Sequence, residues 1–286
     1  MKIIHLAMGM PEFDWACHDL GHQHIRIDWG QHPYAKRQQV LTETAERFHP
    51  DVVFMQLQTP DIVDPATIKR LRDGGAMVVN WTGDVRDPIP QHYLDLAPHV
   101  TITAFTNHPD AEAVRAMGHD ARFLQIGYDP EIYNADRRYP TKHRVVFIGN
   151  DYGNRFPLSE ARRLKVMALH RAFPSDFASF GKGFGKILRN GADADIYRGA
   201  LVAINLDHFH RPGFFSDRYI RSRACGAYTI DGTALSVDGL IDAVRAALTH
   251  PTETAELGLA QAKSVLENDR WHNRIETLEQ WHATLS

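Results

Sequence analysis

Short apolar runs that alternate with amphipathic segments, interrupted once near the middle, constrain this chain more than any other feature of its sequence. Runs at 2–7, 24–28, 51–55, 76–80, 100–105 and 121–125 read as strands. Helical patterns fill the intervals at about 11–20, 34–48, 65–73, 90–97 and 109–117. Pro65 after Asp64 marks a helix start, and Gly21, Gly74, Gly75 and Gly118 stand where helices should end. Between 127 and 142 the pattern lapses into a charged stretch holding Pro130 and Pro140, and it resumes with a strand at 144–148. Later strands are expected near 176–180, 200–206 and 227–230, with helices near 158–172, 193–199, 214–224, 236–249, 252–268 and 270–284. Alternation with short connections demands parallel strands and crossover helices. The expected architecture is therefore α/β, with two Rossmann-like doubly wound parallel-sheet domains facing a cleft. The first spans 1–127, a linker 128–143 and the second domain 144–269, and a closing helix at 270–286 is placed to pack back on the first domain.

Composition narrows the function classes. A length of 286 residues suits two domains at about 150 each. With 43% hydrophobic and 23% charged residues, wholesale disorder and fibrous repeats are excluded. Lys and Arg total 32 against 35 Asp and Glu, a formal charge of −3, so the chain lacks the positive excess that carries non-specific duplex binding. A local basic groove stays open. Cys17 and Cys225 are too few for a disulfide framework or a zinc cluster and fit small buried positions. The apolar start is cut by Gly9 and Pro11, too early for a secretory signal, and no apolar run is long enough to span a membrane. A cytoplasmic protein is expected. The pairs His22/His24 and His208/His210 have strand spacing for shared ligation but lack Cys or Glu partners, so neither a metal nor another cofactor is expected. No Gly-x-Ser-x-Gly elbow, Walker loop or GxGxxG is present.

Ligands of open parallel sheets bind beyond the carboxyl ends of the strands, so the residues that follow each strand are the candidates. After the first strand, Gly9 and Met10 precede Pro11 and Glu12; the segment either admits a ligand to a helix N-terminus or is an ordinary turn. After the fourth, Trp81-Thr82-Gly83-Asp84-Val85-Arg86 crowds a carboxylate and a guanidinium together. Asp84 is placed as a general base if water access is restricted there, with Arg86 orienting it or binding an anion. Glu12 is the third catalytic candidate, and Gly9, Met10 and Trp81 are assigned to the acceptor side. In the second half, Gly149, Asn150 and Arg155 lie between a strand and a helix start, an anion-binding arrangement. Gly181 and Lys182 open a glycine-rich stretch that suits either a flat ligand or a flexible surface loop. Asn205 and Asp207 end a buried strand, and Arg211, Arg218, Arg221 and Arg223 concentrate positive charge ahead of Gly226. Arg218 and Arg221 share a helix face. This far wall would grip a diphosphate, unless the arginines merely solvate the helix.

The stretch from Tyr197 to Ile230, YRGALVAINLDHF…SDRYIRSRACGAYTI, resembles the donor-domain signature of GT-B glycosyltransferases, specifically the CgeB-like, group 1-related proteins of bacteria and phages. VVFIGNDYGNR at 145–155 and RWHNRIETLEQW at 270–281 are similar to the same group, as are WTGDVR at 81–86 and IGYDPEIYN at 126–134. The resemblance spans most of the chain in order. It implies metal-independent transfer of a hexosyl or pentosyl group from a nucleotide-diphosphate sugar to a hydroxyl acceptor, with helix N-termini and arginines stabilising the leaving diphosphate. Asp84 is then the base if configuration inverts; if it is retained, a diphosphate oxygen takes the proton. The acceptor is left open between a polysaccharide, a protein, a small molecule and, for a phage protein in a host cytoplasm, a modified DNA base. Two features depart from the group: Arg221 stands where it has an acidic residue that contacts the donor ribose, and the first domain is short. The former shifts donor recognition elsewhere, changes the nucleotide read, or marks a non-catalytic nucleotide-binding or sugar-binding protein. A sugar-nucleotide epimerase is a further alternative on the same architecture.

Overall fold

The ten expected strands and eleven expected helices are all found among the described residues, with no end moved by more than three positions. The structure is a computed structural model that describes residues 1–136, 143–189 and 191–285. Part of the expected linker, 137–142, lies outside them. The chain divides into two compact units. The first comprises Met1–Gly127, Arg211–Phe214 and Trp271–Ser286, and the second Tyr128–His210 and Phe215–Arg270.

In the first unit β1 (Lys2–Leu6), β2 (Gln23–Ile27), β3 (Val52–Met55), β4 (Met77–Thr82), β5 (Ile102–Phe105) and β6 (Ala121–Phe123) form one parallel sheet in the order β2-β1-β3-β4-β5-β6. The crossovers are α1 (Pro11–Asp19), α2 (Tyr34–Phe48), α3 (Pro65–Asp73), α4 (Gln91–Leu96) and α5 (His108–Ala116). An additional 3-10 turn at Trp29–Gln31 is capped by Asp28, which accepts from the Gly30 amide at 2.9 Å. β3 reads Val-Val-Phe-Met and is buried on both faces, as a central parallel strand under helices must be. Phe13 stacks on Phe54 at 4.6 Å, and Trp271 meets Trp81 edge-on at 5.5 Å. Trp271, Ile275 and Leu278 come from the last helix, α11 (Trp271–Leu285), so the chain's end completes this core.

His5 is wholly buried in β1, with its Nδ1 2.7 Å from Asp14 Oδ1 and Arg26 3.6 Å from the other carboxylate oxygen. Burial lowers its pKa against the pull of Asp14, and Arg26 and His24 add to the lowering. The unfolded chain therefore takes up a proton near 6.5 that the folded chain refuses, and stability is complete above that pH and declines below it. The urea midpoint is expected to fall between pH 7 and 5.5. The fall should be smaller in His5→Gln, which still donates to Asp14 but does not titrate.

The second unit has the sheet order β10-β9-β7-β8, all parallel, from β7 (Val145–Ile148), β8 (Phe177–Phe180), β9 (Val202–Asn205) and β10 (Tyr228–Asp231). Its helices are α6 (Ser159–Ala172), α7 (Ala192–Gly199), α8 (Asp217–Ala224), α9 (Val237–Thr249) and α10 (Pro251–Asn268). Residues 128–136, expected as linker, are integral to this unit. Tyr128 forms a bridge with Arg270, and the buried Tyr133 donates its hydroxyl hydrogen to Asp193 at 3.1 Å. Two tyrosines in an otherwise charged stretch give it apolar area to bury.

Candidate functional site

In the second unit the chain runs from β7 to β8, then returns to the other side of β7 with β9, so strand order reverses between β7 and β9. At such a switch point the following loops part above the carboxyl ends of the strands. These loops are 149–158 and 206–216. Gly149 donates its amide to Phe180 O at 2.9 Å. A Cβ on Gly149 would stand 2.1 Å from Nη2 of Arg162, and one on Gly181, whose φ is +108°, would stand 2.1 Å from Gly149 O. Both positions require glycine, one to admit a guanidinium and one to admit backbone. Asn150 Oδ1 accepts from the Lys182 amide at 2.9 Å, tying the loop after β7 to the loop after β8.

Arg162 lies in the first turn of α6. The buried residues of that helix are Ser159, Arg162, Lys165, Val166 and Leu169, a single stripe of helical period facing the sheet. Sequence reasoning missed Arg162 because it searched the loops. The available signal was two cations on the apolar face of an amphipathic helix. Lys165 is accounted for, since its ammonium donates to Gly232 O at 2.8 Å and Thr233 O at 2.9 Å.

Arg162 is 2% exposed, with its guanidinium over the rings of Phe147 at 5.0 Å and Phe184 at 5.5 Å. Nη1 donates to Asn150 O at 2.7 Å and to His208 Nε2 at 2.5 Å. A guanidinium only donates, so Nε2 of His208 is the acceptor and its proton sits on Nδ1. Nε and Nη2 of Arg162, Nε of Arg218 and Nδ1 of His208 are buried without a hydrogen-bond partner. Asp207 stands 3.7 Å from Arg218 and acts on Arg162 only through space. Burial, and after it the Arg218 charge, push Arg162 down to about 9. Burial and the same two cations push His208 down to about 3. Asp207 is raised by burial despite the pull of Arg218 and a hydrogen bond from Asn205. Ser216 Oγ donates to Asn205 Oδ1 at 3.1 Å, which orients that amide. A buried cation, Arg162, and a half-buried one, Arg218, both with idle donors and beside glycine, make an anion-binding arrangement.

The other sequence candidates divide. Arg155 is exposed and lies over the Phe156 ring at 5.5 Å, and the Lys182 side chain is also exposed. The four clustered arginines do not converge, which corrects the expectation of one electropositive wall. Arg211 belongs to the first unit and pairs with Asp87 at 2.7 Å. Arg223 turns onto the ring of Tyr219 at 4.4 Å. Arg221 reaches Asp217 at 2.9 Å and Asp193 at 3.9 Å and lies over Tyr133 at 4.9 Å. Burial would raise the Asp217 carboxyl, but Arg221 and Arg218 outweigh it and hold it below the usual range. Gly226 is a second correction: it follows the C-cap of α8 with φ +79°, two residues before β10, at the amino edge of the sheet, whereas Gly149 and Asp207 stand at the carboxyl edge.

In the first unit Asp84 pairs with Arg86 at 3.0 Å, and its side chain is 53% exposed, contrary to the water-restricted setting expected for a base. Glu12 is half-buried in the first turn of α1. Gly9 (φ +82°) and Met10 (φ +64°) form a left-handed pair, and a Cβ on Gly9 would meet nothing within 4 Å, so conformation rather than close approach requires that glycine. Met10 packs against the core. Trp81, assigned to the acceptor side, is a core residue instead. It is fully buried and donates its indole hydrogen to Leu124 O at 2.8 Å. Among the described residues no three or more His, Cys, Asp or Glu side chains group as a metal site, and no helix is long and apolar enough to cross a membrane.

No protein-family model matches the chain, and no curated protein is significantly similar to it. Solved structures are similar over essentially its whole length. Sucrose-phosphate synthase from Thermosynechococcus elongatus is 11% identical with a TM-score of 0.67, covering 100% of this chain and 99% of its own. A glycosyltransferase from Rickettsia africae is 9% identical with a TM-score of 0.68, over 98% and 97%. HepE of Anabaena, solved in complex with UDP, is 10% identical with a TM-score of 0.67, over 99% and 100%. With its two parallel sheets flanked by helices, the chain has the fold of the GT-B glycosyltransferases.

Proposed function

We propose that this protein is a glycosyltransferase whose second unit holds a nucleoside-diphosphate sugar and transfers the glycosyl group to a hydroxyl acceptor. One observation carries the reading. Arg162 is buried without a carboxylate bonded to it, beside Arg218, where the sheet order reverses, and a diphosphate supplies the missing counter-charge. As the bond from the anomeric carbon to the diphosphate breaks, negative charge grows on the leaving oxygen, and idle donors from Arg162, Arg218 and His208 stabilise it without prior reorganisation. Two fixed guanidinium charges do there what a divalent cation does elsewhere, so the transfer is proposed to be metal-independent. The likeness to HepE, which was solved with UDP, supports this class of donor. If configuration is retained, the acceptor's proton goes to a departing phosphate oxygen.

Thermal denaturation with UDP, GDP, dTDP and their sugar conjugates tests the proposal. Selective binding raises the melting temperature of the parent, and Arg218→Ala is expected to abolish the largest shift. A parent that responds to none of them, or an Arg218→Ala variant that responds like the parent, overturns it. The exposure of Asp84 favours a second reading, a nucleotide-sugar-binding protein without catalysis. Slow donor hydrolysis in the absence of acceptor separates the two, since only an enzyme releases free sugar.

A further inference from the structure

The carboxyl edge where β7 and β9 part is lined by aromatic rings as well as cations. Tyr152 and Phe156 come from the loop after β7, and His208 and Phe209 from the loop after β9. Phe156 lies 4.7 Å from His208 and 5.5 Å from Phe209, and Tyr152 meets Phe156 edge-on at 5.6 Å and His208 at 5.4 Å. Tyr152 differs from the rest. It is 49% exposed, although its hydroxyl accepts from Asn150 Nδ2 at 3.4 Å and two rings prop it from below. An aromatic ring held in place on a loop, with half its surface in water, is poised to stack.

Its position limits what it can stack on. A single imidazole separates the fork of Arg162 from the ring of Tyr152. In a nucleoside-diphosphate sugar the glycosyl ring is joined to its phosphate by one oxygen, whereas the base is removed from the nearer phosphate by a whole ribose. The group that falls on Tyr152 when the diphosphate meets Arg162 is therefore the sugar. A pyranose presents a face of C–H bonds with partial positive charge, which matches the negative face of an aromatic ring.

We propose that Tyr152 is a specificity-determining residue that stacks on the C–H face of the transferred sugar. This rests on the reading of the site as a nucleoside-diphosphate sugar site. It is tested by titration calorimetry on the full chain with three pairs: UDP and UDP-glucose, GDP and GDP-mannose, dTDP and dTDP-glucose. For the pair that the parent binds, Tyr152→Ala is expected to weaken the sugar conjugate about tenfold and the bare diphosphate less than twofold, about 1.4 kcal/mol of sugar contact. Tyr152→Phe should bind both like the parent, and Tyr152→Leu, which keeps apolar area without a ring, should fall between. Equal losses for diphosphate and conjugate would assign the ring to the base or phosphates and overturn the proposal, as would no loss in either. A parent that binds none of the six defeats the donor reading itself, and this inference with it.

Discussion

Methionine in place of Arg162 is expected to remove at least a hundredfold of the affinity for the diphosphate that stabilises the parent, while the unliganded variant melts at or above the parent temperature. The two halves of this result have one cause. In the free protein the guanidinium is buried with Arg218 nearby and with two of its nitrogens idle. Replacing a buried charge by an apolar side chain of similar volume is often neutral or stabilising by about 1–4 kcal/mol. Methionine fits the space between the Phe147 and Phe184 rings, and the lost bonds to Asn150 O and His208 offset only part of that gain. In the complex the same charge faces an anion, and removing one partner of a buried charged hydrogen bond costs about 2–5 kcal/mol. Melting curves with and without UDP, GDP and dTDP check both halves. A variant that melts far below the parent would make Arg162 a structural cation, and one that keeps the ligand-induced shift would move the anion elsewhere.

Arg221→Glu is expected to destabilise the second unit by about 3–5 kcal/mol, read as a lower urea midpoint. In this chain glutamate is the wrong charge at that position. Arg221 is held between Asp217 and Asp193 and lies over Tyr133, whose hydroxyl already bonds Asp193. Glutamate would gather three carboxylates on one ring and leave Asp217, now held below its usual pKa by Arg221 and Arg218, with less of that support. Arg221→Met, which removes the cation without adding an anion, should cost less. If the glutamate variant kept the parent's stability and bound nucleotides more tightly, Arg221 would be a donor-site residue and the clasp described here would be incidental.

The two carboxyl-edge glycines show what was legible along the chain. Gly149 and Gly181 each follow a predicted strand, and the local rule that ligands gather there picks them out without any knowledge of their neighbours. Asn205 and Asp207 were found by the same rule and stand at the same edge, whereas Arg218 was picked out by the clustering of arginines on α8. Trp81 obeys that rule and misleads, because the last residues of β4 still lie inside the core, where Trp271 from the far end of the chain covers the indole. Arg162 shows the opposite failure. It lies on a helix, outside the loops, and only the stripe of buried positions on α6 reveals that its charge points inward.

Alternation of apolar runs and amphipathic segments, read from the sequence alone, determined the class of fold, the number of strands and helices among the described residues and their bounds to within three positions, because hydrophobic periodicity is a local property that each segment carries by itself. Tertiary structure alone decided which charges share a neighbourhood. Arg211, Arg218, Arg221 and Arg223 lie within thirteen residues of one another, yet one pairs with Asp87 in the first unit, one stacks on Tyr219, one is clasped by Asp217 and Asp193, and only Arg218 stands beside Arg162. Electrostatic partnership depends on distance through space and on burial, and spacing along the chain encodes neither once the chain turns from loop to helix.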